Sequence, residues 1–284
     1  MKIYLARAIK GNLIAEWKKM TLYLAGTYDH RIKLDGEAMR LFLAGNLYDK
    51  ERYKLEQYNI NVLESYYYIR DKAWMFPLLG RFKSFLLDSG AFTFMQNSKK
   101  GLNWDDYLTE YIAFINKYDI KLFFELDIDS IVGIKEVERL RERLEKETGK
   151  RCIPVWHKSR GKEYWLKMVS EYDYVAIGGI VSREITAKDF HHFHWFLNTA
   201  KEQKCKVHAL GFTNMEGIKK YKFYSIDSTS WLSGNRFGAV YFFKGDKMVK
   251  IDKPEGKRVK SHKTAMHNFK EWVRFSRYLE GKNE

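Results

Sequence analysis

Three aspartates of this 284-residue chain each come directly after an apolar run: Asp88, Asp127 and Asp227. Three carboxylates in one place repel one another unless a cation neutralises them or one of them holds a proton. Such a group can divide the work of glycosyl transfer between an ionised nucleophile and a carboxyl of raised pKa that acts as acid and base. A magnesium site with oxygen ligands is an alternative, and each aspartate alone could simply cap a helix.

Polar or glycine residues follow apolar runs at six places in the chain. These are DSGAF at 88–92, ELDID at 125–129, VWHKS at 155–159, IGG at 177–179, LGF at 210–212 and IDSTS at 226–230. Glycines at 178, 179 and 211 would let a planar ligand approach the backbone, or would serve only the turn after a strand. In a (β/α)8 barrel the catalytic groups lie at the carboxyl ends of the strands, so we expect these six segments to lie together.

The pattern that must position these residues is an alternation of short apolar or β-branched runs with longer stretches rich in Lys and Glu, which is typical of βα units. It predicts strands at 22–25, 62–68, 85–87, 122–126, 152–156, 174–177, 207–210 and 223–226. It predicts helices at 104–117, 134–148, 162–171, 187–203 and 215–221. The predicted fold is therefore α/β, a (β/α)8 TIM barrel over residues 1–243.

Residues 244–284 are predicted to extend this barrel. Apolar runs at 239–243 and 248–251 flank KGDK, which indicates a β-hairpin. The helix expected at 262–279 carries an apolar stripe that would pack on the barrel. Residues 244–263 hold eight Lys or Arg against three acids, so this segment is expected to contact a polyanion.

The composition excludes several classes of protein. Hydrophobic residues make up 45% of the chain, which is enough for a large core and argues against disorder. The net charge of +15 favours a nucleic-acid partner. Two cysteines are too few for a disulfide framework or a four-cysteine zinc site, which favours a reducing compartment. Since no apolar run approaches a membrane span, we expect a soluble, cytoplasmic protein without a membrane partner.

Six ordered segments resemble the tRNA-guanine transglycosylase family, and more closely its zinc-less DNA 7-deazaguanine transglycosylase relatives from phage and bacterial DNA modification. They are LLDSGAF, the LD of ELDID, PVWH, YVAIGGI, HALGF and SIDSTSW, between residues 85 and 238. The resemblance implies a TIM barrel that exchanges guanine in DNA for a free 7-deazaguanine such as preQ0. It implies no cofactor and no metal.

The resemblance also implies a role for each matched position. Asp227 would be the nucleophile and Asp88 the general acid and base. Substrate-binding positions would be Phe92, Asp127, Trp156, His157, Gly178, Gly179 and Leu210. Arg236 would contact the nucleic-acid backbone. Apart from the resemblance, the charge of the basic segment 244–263 predicts that Lys257, Arg258 and Lys260 also hold nucleic acid.

The chain departs from the family pattern at several points. Trp156 or His157 stands in place of a glutamine that reads the base edge, and Ala91 in place of a glycine. No cysteine follows Asp227, so the zinc cluster of the tRNA enzymes is absent from the sequence. A zinc-less tRNA enzyme and a non-catalytic nucleic-acid-binding barrel remain alternatives. The aromatic, charged segment 63–74 could stack on nucleic acid or pack on the barrel.

Overall fold

The computed structural model describes residues 39–44, 58–90, 93, 103–232, 238–253 and 261–281, with no side chains for 261–263. All of them belong to one compact unit, Leu34–Glu284. Several sequence predictions lie outside the described residues. These are the strand at 22–25 and the roles of Phe92, Arg236, Lys257, Arg258 and Lys260.

Eight parallel strands form one curled sheet in the described part of the chain. They are β1 Arg40–Ala44, β2 Asn61–Ser65, β3 Ser84–Asp88, β4 Leu122–Phe123, β5 Val155–Trp156, β6 Tyr174–Ile177, β7 Lys206–Ala209 and β8 Ser225–Ser228. Their order in the sheet is β4-β3-β2-β1-β8-β7-β6-β5. The two edge strands meet only through a parallel bridge between Phe124 and Ile153, so the ladder is not closed. This architecture is compatible with a (β/α)8 barrel.

Helices surround the sheet, as the alternating sequence pattern predicts. The α-helices are α1 Tyr66–Ile69, α2 Trp104–Lys117, α3 Asp129–Val132, α4 Ile134–Thr148, α5 Gly161–Glu171, α6 Phe193–Glu202, α7 Met215–Lys220 and α8 Ser261–Leu279. Short 3-10 helices cover Ala73–Arg81, Lys158–Arg160, Phe190–His192 and Ser230–Leu232. Within the described residues, no helix combines the length and the apolar character that crossing a membrane requires.

The predicted ends of α2 and α4 are confirmed to the residue, because local signals fix them. Asn103 caps α2 by accepting a hydrogen bond from the Asp105 amide at 3.0 Å. Gly149 ends α4 in the left-handed conformation, with φ at 65°. Other predicted bounds need correction. The strand predicted at 62–68 ends at Ser65 and turns into α1, the strand predicted at 152–156 is confined to Val155–Trp156, and the helix predicted at 187–203 begins only at Phe193. Strand β1 was not predicted from the sequence.

The two faces of the sheet carry separate apolar layers. On the inner face, side chains from β1 to β6 and from the residues that flank β4 and β5 form one cluster: Phe42, Ala44, Leu63, Leu86, Phe124, Ile153, Val155 and Ala176. The larger outer layer lies between the sheet and the helices. Because both faces are apolar, hydrophobicity alone does not reveal which side chains point inward.

A C-terminal hairpin contacts the helix α8, and α8 contacts strand β1 of the sheet. The hairpin consists of β9 Val240–Lys244 and β10 Lys247–Ile251, joined by a two-residue turn with Gly245 at φ 67°. Asn268 of α8 accepts a hydrogen bond from the Tyr241 amide at 2.9 Å, which ties the helix to β9. The end of α8 reaches the sheet, where the Met39 amide donates to the Leu279 carbonyl at 3.0 Å.

Candidate active site

The turn after β3 holds Asp88 at the carboxyl end of the sheet. Gly90 has φ 86°, and its amide donates a hydrogen bond to Asp88 Oδ2 at 3.1 Å. A Cβ on Gly90 would lie 2.6 Å from the Cβ of Tyr67 and 3.0 Å from Ser65 Oγ. Only glycine therefore fits this turn, which explains the glycine of the DSGAF segment.

The pKa of the Asp88 carboxyl is raised toward neutral pH. Burial raises its pKa from 3.8 to about 6, the nearby Ser65 hydroxyl and the hydrogen bond from the Gly90 amide oppose that rise, and the charges of Asp127 and Asp227 add to it. Since these two carboxylates act on Asp88, the structure brings the three predicted aspartates into one site. Asp88 therefore holds its proton to a higher pH than an ordinary aspartate does, which partly meets the first condition expected from the sequence.

Asp227 lies on β8 and is only 6% exposed. Its Oδ1 accepts a hydrogen bond from the Gly211 amide at 2.6 Å and lies 3.3 Å from His208 Nε2. Both hydrogen bonds that the described residues make to this carboxylate end on Oδ1. Oδ1 is therefore the oxygen that the surrounding chain holds in place.

Asp127 pairs with His157, which follows β5. His157 Nε2 lies 2.7 and 2.8 Å from the two Asp127 oxygens, and Nδ1 lies 3.0 Å from Glu184 Oε2. Burial lowers the pKa of His157, but the hydrogen bonds to Asp127 and Glu184 and the charge of Asp129 raise it to about 9. His157 is therefore a cation at neutral pH and neutralises the carboxylates beside it.

A buried arginine, Arg160, neutralises further carboxylates of the site. Arg160 is 1% exposed; its Nη1 donates to Glu125 at 2.9 Å and its Nε donates to Asp129 at 2.9 Å. Its Nη2 lies 3.6 Å from Asp127. Glu125, which is fully buried, also accepts from Arg141 at 3.1 Å. The second condition expected from the sequence, cations that balance the carboxylates, is met by His157, Arg160 and Arg141.

One group of potential metal ligands occurs in the part of the chain that the structure describes. Single ligand atoms of Asp127, Asp129 and His157 lie within 4.8 Å of one another. However, His157 and the Arg160 guanidinium already bind these carboxylates with protons. A divalent cation would have to displace a proton and a guanidinium, so this donor set fits an ion-pair network better than a magnesium site.

Other predicted binding residues divide between the site and the core. The prediction that placed Trp156 at the substrate needs correction, because its ring packs against Trp165 and Phe196 in the outer layer. His157, the next residue, faces the site instead. Leu210 is partly buried and packs against the inner cluster.

Gly178 and Gly179 leave space for the side chains of His157 and Glu184. A Cβ on Gly178 would lie 2.7 Å from the His157 ring. A Cβ on Gly179, which has φ 81°, would lie 2.8 Å from Glu184 Oε2. These glycines therefore make room for the pair that holds His157, and contact of their backbone with a ligand stays a prediction.

The aromatic segment after β2 serves the core and the surface together. Tyr66 is buried and its ring packs against Tyr107 and Tyr111. Tyr67 covers the Gly90 turn, and Tyr68 is 42% exposed. Packing on the barrel therefore describes Tyr66, while stacking of this segment on nucleic acid stays a prediction.

Seven polar residues that support the site are not among the positions predicted from the sequence. They are Glu125, Arg141, Arg160, Tyr174, Glu184, His208 and Ser225. Glu125 was the first residue of the quoted ELDID segment, so proximity to Asp127 was a signal. Arg160 ends a short 3-10 helix and Glu184 lies in a bend, and nothing in their local sequence sets them apart from surface residues.

In comparisons with known proteins, neither a protein-family model nor a curated protein matches this chain. Its function is therefore inferred from the geometry of the site and the charge of the chain. The central features are Asp88, whose pKa lies near 6, and Asp227, whose Oδ1 accepts two hydrogen bonds. They lie at the same end of a curled parallel sheet, where α/β proteins bind ligands.

Proposed function

We propose that this protein is a base-exchange glycosyltransferase that replaces guanine in DNA with a 7-deazaguanine. The observation that carries this proposal is the contrast between two neighbouring carboxyl groups. Asp88 has a pKa of about 6, whereas Asp227 accepts hydrogen bonds from the Gly211 amide and from His208. Paired carboxyl groups in contrasting environments are the arrangement that divides acid and base work from nucleophilic work.

The first half of the reaction forms a covalent intermediate. The target guanosine leaves the base stack, which costs a few kcal/mol and is offset by contacts in the pocket and with phosphates. Asp227 Oδ2 attacks C1′ while the bond from C1′ to N9 breaks and its electron pair goes to guanine. Asp88 gives its proton to the departing base, so the products are a glycosyl ester of Asp227 and free guanine.

The second half reverses these steps with a different base. A 7-deazaguanine such as preQ0 gives its N9 proton to the Asp88 carboxylate, and N9 attacks C1′. The ester bond to Asp227 breaks and the carboxylate is regenerated. Two inversions at C1′ give overall retention. An acid and base with a pKa of about 6 can hold and release a proton near neutral pH, as both halves require.

The remaining features of the site support this assignment. The cationic His157 held by Asp127 offers a polar pair to the edge of a purine-like base. We also propose that the fold is of the (β/α)8 TIM-barrel class and that the protein acts in the cytoplasm. The net charge of +15 and the basic segment 244–263 favour DNA or another polyanion as the partner.

Exchange of labelled guanine tests the proposal. The protein, duplex DNA and labelled preQ0 should give labelled DNA, and Asp227→Asn should abolish this incorporation while DNA binding survives. Asp71→Asn is the matched control, because the Asp71 side chain is 89% exposed. Denaturing electrophoresis should trap a protein–DNA adduct with the wild type and the control, and none with Asp227→Asn.

Each outcome separates this proposal from a rival. Incorporation into tRNA and not into DNA would identify a zinc-less tRNA enzyme instead. DNA binding without exchange in the wild type would favour the non-catalytic barrel. An Asp227→Asn variant that exchanges guanine at the wild-type rate would refute the assigned nucleophile.

A further inference from the structure

Three hydrogen bonds connect Tyr174 to Asp227 across neighbouring strands. Tyr174 OH lies 2.5 Å from Ser225 Oγ, and Ser225 Oγ lies 2.6 Å from His208 Nδ1. His208 Nε2 then lies 3.3 Å from Asp227 Oδ1. The four residues lie on β6, β7 and β8, which are adjacent in the sheet, so the chain is anchored on rigid elements at every step.

His208 is enclosed on the inner face of the sheet. It is fully buried, and the rings of Phe42 and Phe124 lie 5.9 and 5.5 Å from its own, centroid to centroid. Ser225 is also fully buried. The described residues therefore give each ring nitrogen one polar partner, Ser225 on one side and Asp227 on the other. A ring held in this way has little freedom to flip or to exchange partners with water.

The donors and acceptors along this chain match in a single direction. An ionised carboxylate only accepts hydrogen bonds, so His208 Nε2 must carry a proton to bind Asp227. In a neutral imidazole Nδ1 then accepts, and the hydroxyl of Ser225 supplies the proton. The Ser225 oxygen in turn accepts from the hydroxyl of Tyr174. Each hydroxyl donates once and accepts at most once within the chain.

We propose that His208 is a positioning residue, fixed as the Nε2–H tautomer by Ser225 and Tyr174, that orients the Asp227 carboxylate. Together with the Gly211 amide it binds Oδ1, which stops the carboxylate from rotating and leaves Oδ2 for attack on C1′. The claim about the reaction rests on the proposed function. The claim about the tautomer does not, because it concerns the free protein.

Nuclear magnetic resonance of the full chain labelled with ¹⁵N-histidine tests the tautomer. The resonances of His208 are assigned from their loss in His208→Gln. We expect a protonated Nε2 and an unprotonated Nδ1 in the wild type at neutral pH. Ser225→Ala should remove the donor to Nδ1 and shift that nitrogen toward a mixture of tautomers. A wild-type ring that carries its proton on Nδ1, or on both nitrogens, would overturn the proposal.

Variants of His208 test the positioning role through the rate of adduct formation. The side-chain amide of Gln can donate from the position of Nε2, so His208→Gln should keep the rate within about threefold of the wild type. His208→Leu has no donor and should lose about 10- to 100-fold in rate, which is the range for a hydrogen bond to a charged group. The loss should appear in kcat with little change in KM, because the base-binding residues are untouched. Tyr174→Phe, which removes one hydroxyl, should have a smaller effect of the same kind.

The two possible failures can be told apart. If the wild type forms no adduct with DNA or tRNA, the proposed function fails, and the nitrogen spectra alone decide the tautomer. If the wild type forms the adduct and His208→Leu forms it equally fast, the positioning role is wrong while the function stands. Equal losses in His208→Gln and His208→Leu, with both variants folded, would also contradict it, because Gln retains the donor.

Discussion

Replacing Asp88 with Asn should stabilise the folded protein at neutral pH. The pKa of Asp88 is about 6 in the folded chain, against 3.8 for an unperturbed aspartate, so the folded state holds this proton more tightly than the unfolded state does. Below about pH 3 the carboxyl is largely protonated in both states and carries no penalty. As the pH rises from about 4 through 6, the unfolded chain ionises first and folding loses free energy. Asn, which does not ionise, avoids this loss.

The magnitude follows from the displacement of the pKa. At about 1.4 kcal/mol for each tenfold change in ionisation, a pKa moved from 3.8 to about 6 corresponds to about 3 kcal/mol at pH 7. Asn can keep one existing contact, because its amide oxygen can accept the hydrogen bond from the Gly90 amide. The gain is an upper value, since the amide nitrogen must also find an acceptor.

Urea unfolding between pH 4 and 8 measures this effect. The difference in unfolding free energy between Asp88→Asn and the wild type should grow with pH and reach its plateau near pH 7. Asp71→Asn should show no such growth, because its side chain is 89% exposed. A difference for Asp88→Asn that stays constant from pH 4 to 8 would refute the raised pKa. It would also remove the basis for assigning Asp88 as the acid and base.

Two further predictions concern stability and are checked by the same unfolding measurements. Gly90→Ala should destabilise the fold by about 2 kcal/mol or more, because the turn has φ 86° and the added Cβ would meet a tyrosine at 2.6 Å. The control is Gly80→Ala, where a Cβ meets nothing within 4 Å, and it should change the free energy of unfolding by less than about 1 kcal/mol. Similar losses in Gly90→Ala and Gly80→Ala would contradict the steric reason given for Gly90. Arg160→Gln should cost about 3 to 5 kcal/mol, because it leaves a fully buried glutamate without one of its charged partners. Arg139→Gln, at a side chain 47% exposed, should cost less than about 1 kcal/mol, and an equal loss there would show that burial does not matter.

Local elements of the fold could be predicted because their signals lie within a few residues. The apolar period of the segments 104–117 and 134–148 gave α2 and α4 with correct ends, since Asn103 and Gly149 bound them. Strand β6 was also predicted at its observed bounds. Strand β1 was missed, because Leu41, Phe42 and Leu43 form a short apolar run between turn residues that resembles several others in the first 50 residues.

The direction of single side chains could not be predicted where both faces of the sheet are apolar. Trp156 and His157 are neighbours on and after β5, and one of them had to face the site. The tryptophan packs among helix residues, whereas the histidine reaches Asp127. Because side chains alternate along a strand, Trp156 and His157 must point to opposite faces of the sheet. Only the packing of the sheet decides which of the two points inward.

The sequence by itself determined that Asp88, Asp127 and Asp227 each follow an apolar run, because this is a property of residues that are neighbours in the chain. The structure decided what surrounds them: His157 contacts Asp127 from 30 residues away, Arg160 contacts Glu125 from 35, and His208 contacts Asp227 from 19. These separations have no fixed geometry in an unfolded chain. They become contacts only when the order of strands places β4 near β5, and β7 beside β8, because hydrogen bonding and charge act over a few ångströms of space rather than over distance in sequence.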